Sequence, residues 1–147
     1  MAILGAAEIA QIVRAQAANN ARYQRDKDGK LSFSQYVLTH ADDKMIAMYS
    51  DKAVAAIKAH IYPAVTIERA RRAYNIAYSK RLARRRYDDD VLQSTILQYI
   101  SNYVLACFAE AQQNAAAYQY YTGLSNEEKV EVYTQIFRKK EVDDDTD

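Results

Sequence analysis

The sequence predicts an all-α fold, a helical bundle forming a single domain over residues 1–147. Three observations carry this. Three glycines and one proline are too few for a sheet protein with many tight turns. Alanine, glutamine, lysine, arginine and leucine, all good helix formers, are plentiful. Half the residues are apolar by a broad count, enough for a modest core in a chain of this length.

Each element follows from spacing and punctuation. Residues 2–23 read as a first helix, because Ile3, Ala6, Ala10, Val13 and Ala17 trace one stripe with Ile9 and Ile12 beside it. Polar residues then gather at 24–30, and Asp28-Gly29 marks a turn before a short segment over 31–39. Residues 1–30 are therefore candidates for an extended N-terminal arm. A second helix is expected over 42–61, with Met45, Ala47, Met48, Val54, Ile57 and Ile61 as its apolar surface and Asp42 as its cap.

Pro63 suits the first position of the next helix. No glycine or proline interrupts 64–121, so a long basic helix over about 64–87 is expected to continue, or kink, into an amphipathic core helix over about 91–121. Asp88, Asp89 and Asp90 mark the place for an interruption, with Asp90 as N-cap of the second part. There, 100° steps put Leu92, Ile96, Ile100, Tyr103, Val104, Cys107, Phe108, Ala111 and Tyr118 on one broad face. Thr122-Gly123 should close that helix, and Ser125-Asn126-Glu127-Glu128 has the spacing of a capping box for a last helix reaching about Lys139. Residues 141–147 are expected to form an acidic, solvated tail.

Charge placement carries the functional reading. Up to Tyr87 the chain holds 16 bases and 7 acids, net +9; beyond it 4 bases and 12 acids give −8. Residues 67–87 alone set seven arginines and one lysine against Glu68. Read as a helix, this stretch puts Arg69, Arg72, Lys80 and Arg84 on one face and Arg71, Tyr74, Tyr78, Arg81 and Arg85 on another, with no clean apolar stripe. A helix without an apolar face is solvated, sheathed by a partner or laid against a polyanion. Arginine's planar fork makes bidentate phosphate contacts and needs no particular base, and interleaved tyrosines add hydroxyl donors. The expected partner is the phosphate backbone of double-stranded DNA, gripped by Arg69, Arg71, Arg72, Lys80, Arg81, Arg84, Arg85 and Arg86, with Arg14, Arg22 and Arg25 adding contacts. The alternatives are a solvated helix paired with the chain's own acids, an anionic membrane surface, or an adaptor docking on an acidic protein without nucleic acid.

Other patterns carry less. Residues 24–35 resemble a calcium-binding EF-hand loop, with Asp26 and Asp28 at its third and fifth places. Gln24 and Gln35 stand where its first aspartate and twelfth glutamate belong, so no metal site is expected. Cys107, the lone cysteine, sits among apolar neighbours and reads as core. His40 and His60 are not at metal-ligand spacing, and no phosphate loop or nucleophile elbow is present. Neither catalysis nor a cofactor is expected. The N-terminus lacks a basic leader, and no apolar run approaches the roughly 20 residues needed to span a bilayer.

An alanine-rich N-terminal helix, an Arg/Tyr-rich segment and thirteen tyrosines in a small helical chain resemble the major coat proteins of filamentous archaeal viruses. The resemblance is one of size, helix content and composition. It implies a structural virion protein, a filament subunit wrapping double-stranded DNA without sequence specificity. Residues 69–86 would then track phosphates, residues 91–118 would carry packing between subunits, and the partners would be other copies of itself or a paralogous subunit.

Overall fold

Residues 65–78 alternate in burial where a helix would spiral, and this overturns the all-α expectation. The structure is a computed structural model describing residues 2–23, 38–79 and 89–137. Among these described residues it combines four α-helices with a three-stranded antiparallel sheet. In chain order these are β1 (Ala2–Gly5), α1 (Ala6–Tyr23), a 3₁₀ turn (His40–Asp42), α2 (Asp43–Ile61), β2 (Val65–Ala70), β3 (Ala73–Tyr78), α3 (Asp89–Ala111) and α4 (Ala115–Phe137).

The expected basic helix over 64–87 is, in its first part, a β-hairpin; residues 80–88 lie outside the described residues. Val65, Ile67, Tyr74 and Ile76 are buried, while Thr66, Glu68, Asn75 and Ala77 between them are half-buried or exposed. That is the period of a strand, and the β-branched and aromatic residues here suit it. Pairing runs from Val65 opposite Tyr78 to Ala70 opposite Ala73, which leaves Arg71 and Arg72 as a two-residue turn. Pro63 forms a cis peptide with Tyr62 in the connection to β2, so it opens no helix.

Residues 2–5, expected as helix, pair instead with the other side of β3, Leu4 opposite Tyr74, to give the order β1-β3-β2. A four-residue strand has little intrinsic preference, and partner strands decide it. Leu4 is buried on the face shared with Tyr74, Ile76, Val65 and Ile67. The helix proper begins at Ala6.

α3 is the centre of the helical layer, buried almost all round through Leu92, Ile96, Tyr99, Ile100, Val104, Leu105 and Phe108. α1, α2 and α4 pack on it. α1 contributes Ile9, Val13 and Ala17, and α2 contributes Ile46, Tyr49, Ala53 and Ile57, with Tyr49 edge-on to Phe108 at 5.0 Å between ring centroids. The α1–α3 seam has a polar lock. Gln16 Nε2 donates to the buried Asn102 Oδ1 at 2.6 Å, and the Ser101 hydroxyl donates to Gln16 Oε1. A satisfied buried network of this kind fixes how two helices align.

The α3–α4 boundary also differs from expectation. The chain reverses at residues 112–114, with Gln113 at φ 58° and Asn114 Oδ1 accepting the Ala117 amide at 3.0 Å. α4 then runs straight through Gly123 and Ser125, the expected stop and start. Packing decides this. Ala117, Tyr121, Ser125, Val132 and Ile136 fall at helical spacing and are buried, which outweighs the roughly 1 kcal/mol that one interior glycine costs a helix. Among the described residues, no helix is long and apolar enough to cross a membrane.

Candidate nucleic-acid interface

The hairpin gathers three of the predicted arginines at one end of the sheet. Arg69 lies opposite Tyr74 in the register, so both side chains belong to the same face of the hairpin, and both meet Asp51 of α2. Arg69 Nη1 lies 2.7 Å from Asp51 Oδ2, while the Tyr74 hydroxyl donates to Asp51 Oδ1. One carboxylate thus holds both strands to the helical layer. Burial, then the hydrogen bond and charge of Asp51, push the Tyr74 phenol well above its ordinary 10.0. Tyr74 therefore stays a neutral donor at any physiological pH.

The turn itself is differently placed. Arg71 and Arg72 are exposed, and neither forms an ion pair with a described carboxylate. Their backbone is fixed all the same, because the Arg72 carbonyl accepts the Ala6 amide, the first of α1, at 2.9 Å. Two guanidinium groups on an anchored turn form a preorganised cationic tip, suited to phosphate oxygens. The hollow under the tip, between Ser50, Asp51 and Tyr74, has a volume of about 30 Å³. That is the volume of about one water, so the tip acts from the surface and not as a pocket.

The remaining predicted residues are dispersed or lie elsewhere. Arg14, on α1, is turned inward at 17% side-chain exposure and ion-paired with Asp43 of α2, so its charge is spent within the fold. Arg22 falls in the last turn of α1, its side chain outside the described set. Arg25, Lys80, Arg81, Arg84, Arg85 and Arg86 lie outside the described residues, as do Asp26 and Asp28 of the EF-hand-like loop. Lys80 stands two residues past Tyr78, the end of β3, so the cationic run follows the hairpin closely in sequence.

Asp51 was absent from the residues predicted to matter for the site, and Tyr74, expected on a basic face as a hydroxyl donor to phosphate, is instead buried and donates to Asp51. The alternation of Val65, Ile67, Tyr74 and Ile76 was the signal that would have found them, since it places Tyr74 on the inner face beside the helices. Cys107 is half-buried, and burial, the largest cause, pushes its thiol up to about 11. It is thus protonated and a poor nucleophile near neutrality. Asp42, expected to cap α2, instead accepts the Thr39 amide at 2.8 Å in a capping box around the 3₁₀ turn.

No protein-family model matches the chain, and neither a curated protein nor a solved structure matches it.

Proposed function

We propose that this protein is a structural, non-catalytic subunit that binds the phosphate backbone of double-stranded DNA without reading sequence. The observation that carries the reading is the Arg71–Arg72 turn, exposed, held by a backbone hydrogen bond to α1 and without a described carboxylate partner. Arg69 stands behind it, shared with Asp51, and Lys80 to Arg86 extend the same cationic stretch along the chain. Phosphate contacts of this kind position a protein on a duplex but carry no base information. The opposite charges of the two parts of the chain, +9 and −8, support use in many copies, with cationic surface against DNA and acidic surface turned away.

The test is fluorescence anisotropy of a labelled random-sequence duplex at several salt concentrations. Binding with a log-log slope near −4 or steeper is expected, and R71A/R72A should flatten that slope by roughly 1.8, at about 0.9 per lost phosphate contact. No binding at low salt, or an unchanged slope in the double variant, sinks the assignment to this turn.

A further inference from the structure

The two edges of the sheet are finished differently. In the order β1-β3-β2, the outer strands β1 and β2 each have a strand on one side only. The Ala6 amide donates to the Arg72 carbonyl at 2.9 Å and the Ser79 amide to the Ala64 carbonyl at 2.8 Å, which fixes the phase of both ladders. Hydrogen-bonded pairs alternate along antiparallel strands. The backbone groups of Thr66, Glu68 and Ala70 therefore face β3, and those of Val65, Ile67 and Arg69 point off the sheet. On the β1 side it is Ile3 and Gly5 that point outward, and the Ile3 carbonyl accepts Gln93 Nε2 of α3 at 3.4 Å. Among the described residues, no backbone group pairs with those of Val65, Ile67 and Arg69.

Three N–H and three C=O groups along an edge are a template for another strand, and proteins blunt such edges with a bulge, a proline or an unmatched inward charge. None of these stands in β2. Its pairing with β3 is unbroken from Val65 to Ala70, Pro63 precedes it, and the inward Arg69 is matched by Asp51. On α2, Met48 and Ala55 share a helix face with Asp51 and are exposed, which adds apolar surface beside this edge.

We propose that β2 pairs antiparallel with β2 of a second copy, about a two-fold axis at Ile67, to make one six-stranded sheet. That register uses every outward group: Ile67 meets the partner's Ile67 and Val65 meets the partner's Arg69, with six backbone hydrogen bonds in all. On the outer face it sets Thr66 opposite the partner's Glu68. A slip of two residues either way loses two of the six bonds, and one of the two slips sets Glu68 against the partner's Glu68, a destabilising like-charge pair. The edge thus fits its own copy best in a single register. Pairing places the two Arg71–Arg72 turns eight residue steps apart along the strands, about 26 Å, so a dimer offers one duplex two cationic tips. Only that consequence rests on the DNA reading; the association needs no DNA.

The contact is short against the roughly 1,200–2,000 Å² of a stable complex, so a weak dimer is expected. Sedimentation equilibrium of the full chain without DNA, up to about 1 mM, should show it. Thr66 is half-buried on the outer face, and two cross-strand pairs change per dimer. Thr66→Glu should therefore raise the dissociation constant roughly tenfold, and Thr66→Lys should lower it by a similar factor. In a Cys107→Ser background, an oxidised mixture of Thr66→Cys and Glu68→Cys chains should give a disulfide-linked dimer. Neither variant alone should, because like positions stand about 7–8 Å apart, beyond the reach of a disulfide. A monomer throughout, a dimer indifferent to both charge variants, or crosslinking in a single variant as readily as in the mixture overturns the proposal. Slow hydrogen exchange at the Val65, Ile67 and Arg69 amides that persists in dilute protein also overturns it, since the edge is then covered by the same chain.

Discussion

Two tight reversals among the described residues, at Arg71–Arg72 and at residues 112–114, are built without glycine or proline, and they solve the problem differently. The helical reversal is satisfied from within. Gln113 takes the left-handed conformation at φ 58°, the Gln113 and Asn114 amides bond back to Glu110 and Ala109 at 3.0 Å each, and Asn114 caps α4. The hairpin turn places no residue at positive φ, fixes its backbone on α1 and leaves two charged side chains in solvent. A turn whose groups are all consumed locally is a structural joint. One that is anchored but leaves two guanidinium groups unmatched has binding capacity to spare.

The largest expected effect comes from cutting the hairpin's anchor. Asp51→Ala removes the partner of both Arg69 and Tyr74 and should lower stability by about 2–3 kcal/mol, measured by urea denaturation. A loss near zero would mean that strand pairing alone holds the hairpin. The same anchor gives a pH signature. Tyr74 has a folded pKa above its unfolded value of 10.0, so its contribution is complete below about pH 10 and is lost as pH rises through the folded value. Stability should therefore be flat from neutrality to about pH 9 and fall above pH 10. Asp51→Asn should reduce only part of that fall, because burial is the first cause of the shift.

Next in size is the joint. Asn114→Ala deletes the α4 cap and should cost about 1 kcal/mol in chemical denaturation, leaving DNA affinity unchanged. A loss of duplex binding in that variant would show that the two reversals are coupled, against the separation drawn here.

Both turns explain what the sequence could and could not disclose. α2 was legible nearly to the residue, because Ile57, Ile61 and Val54 recur at helical spacing and a proline follows. The inward face of α3 was legible through Leu92, Ile96, Ile100, Val104 and Phe108, all buried. The hairpin was not, because its turn is Ala-Arg-Arg-Ala, with none of the Asn-Gly or Gly-rich chemistry that usually marks a two-residue loop. Its strands were read at 100° per residue, where Val65, Ile67, Tyr74 and Ile76 scatter; the missing apolar stripe was itself the mark of a period of two. For the site, charge revealed which arginines to consider, but not that Arg14 is matched by Asp43 and Arg69 by Asp51. Those pairings join residues 29 and 18 positions apart, beyond any local pattern.

Smaller effects follow where backbone preference and position disagree. Gln113→Gly should stabilise the joint by about 0.5–1 kcal/mol, since glycine adopts φ 58° without strain. Gly123→Ala should give a similar gain, because a methyl group added there meets nothing within 4 Å and the position is interior to α4. Thermal midpoints of the two variants check this directly. If Gly123→Ala destabilises instead, the outer surface of α4 is in contact with something that the added methyl displaces.

The smallest change in stability is expected from the residues given the largest functional role. Arg71 and Arg72 are exposed and ion-pair with no described carboxylate, so R71A/R72A should shift stability by less than about 0.5 kcal/mol. Stability and salt slope are then decoupled in opposite senses in two variants: Asp51→Ala moves the first strongly, and the double arginine variant moves only the second. Should R71A/R72A unfold the protein as readily as Asp51→Ala does, the arginines are part of the hairpin's own support and the contrast between joint and tip fails. Should it leave both stability and slope untouched, the cationic grip lies further along the chain, between Lys80 and Arg86, and the hairpin serves to aim that stretch.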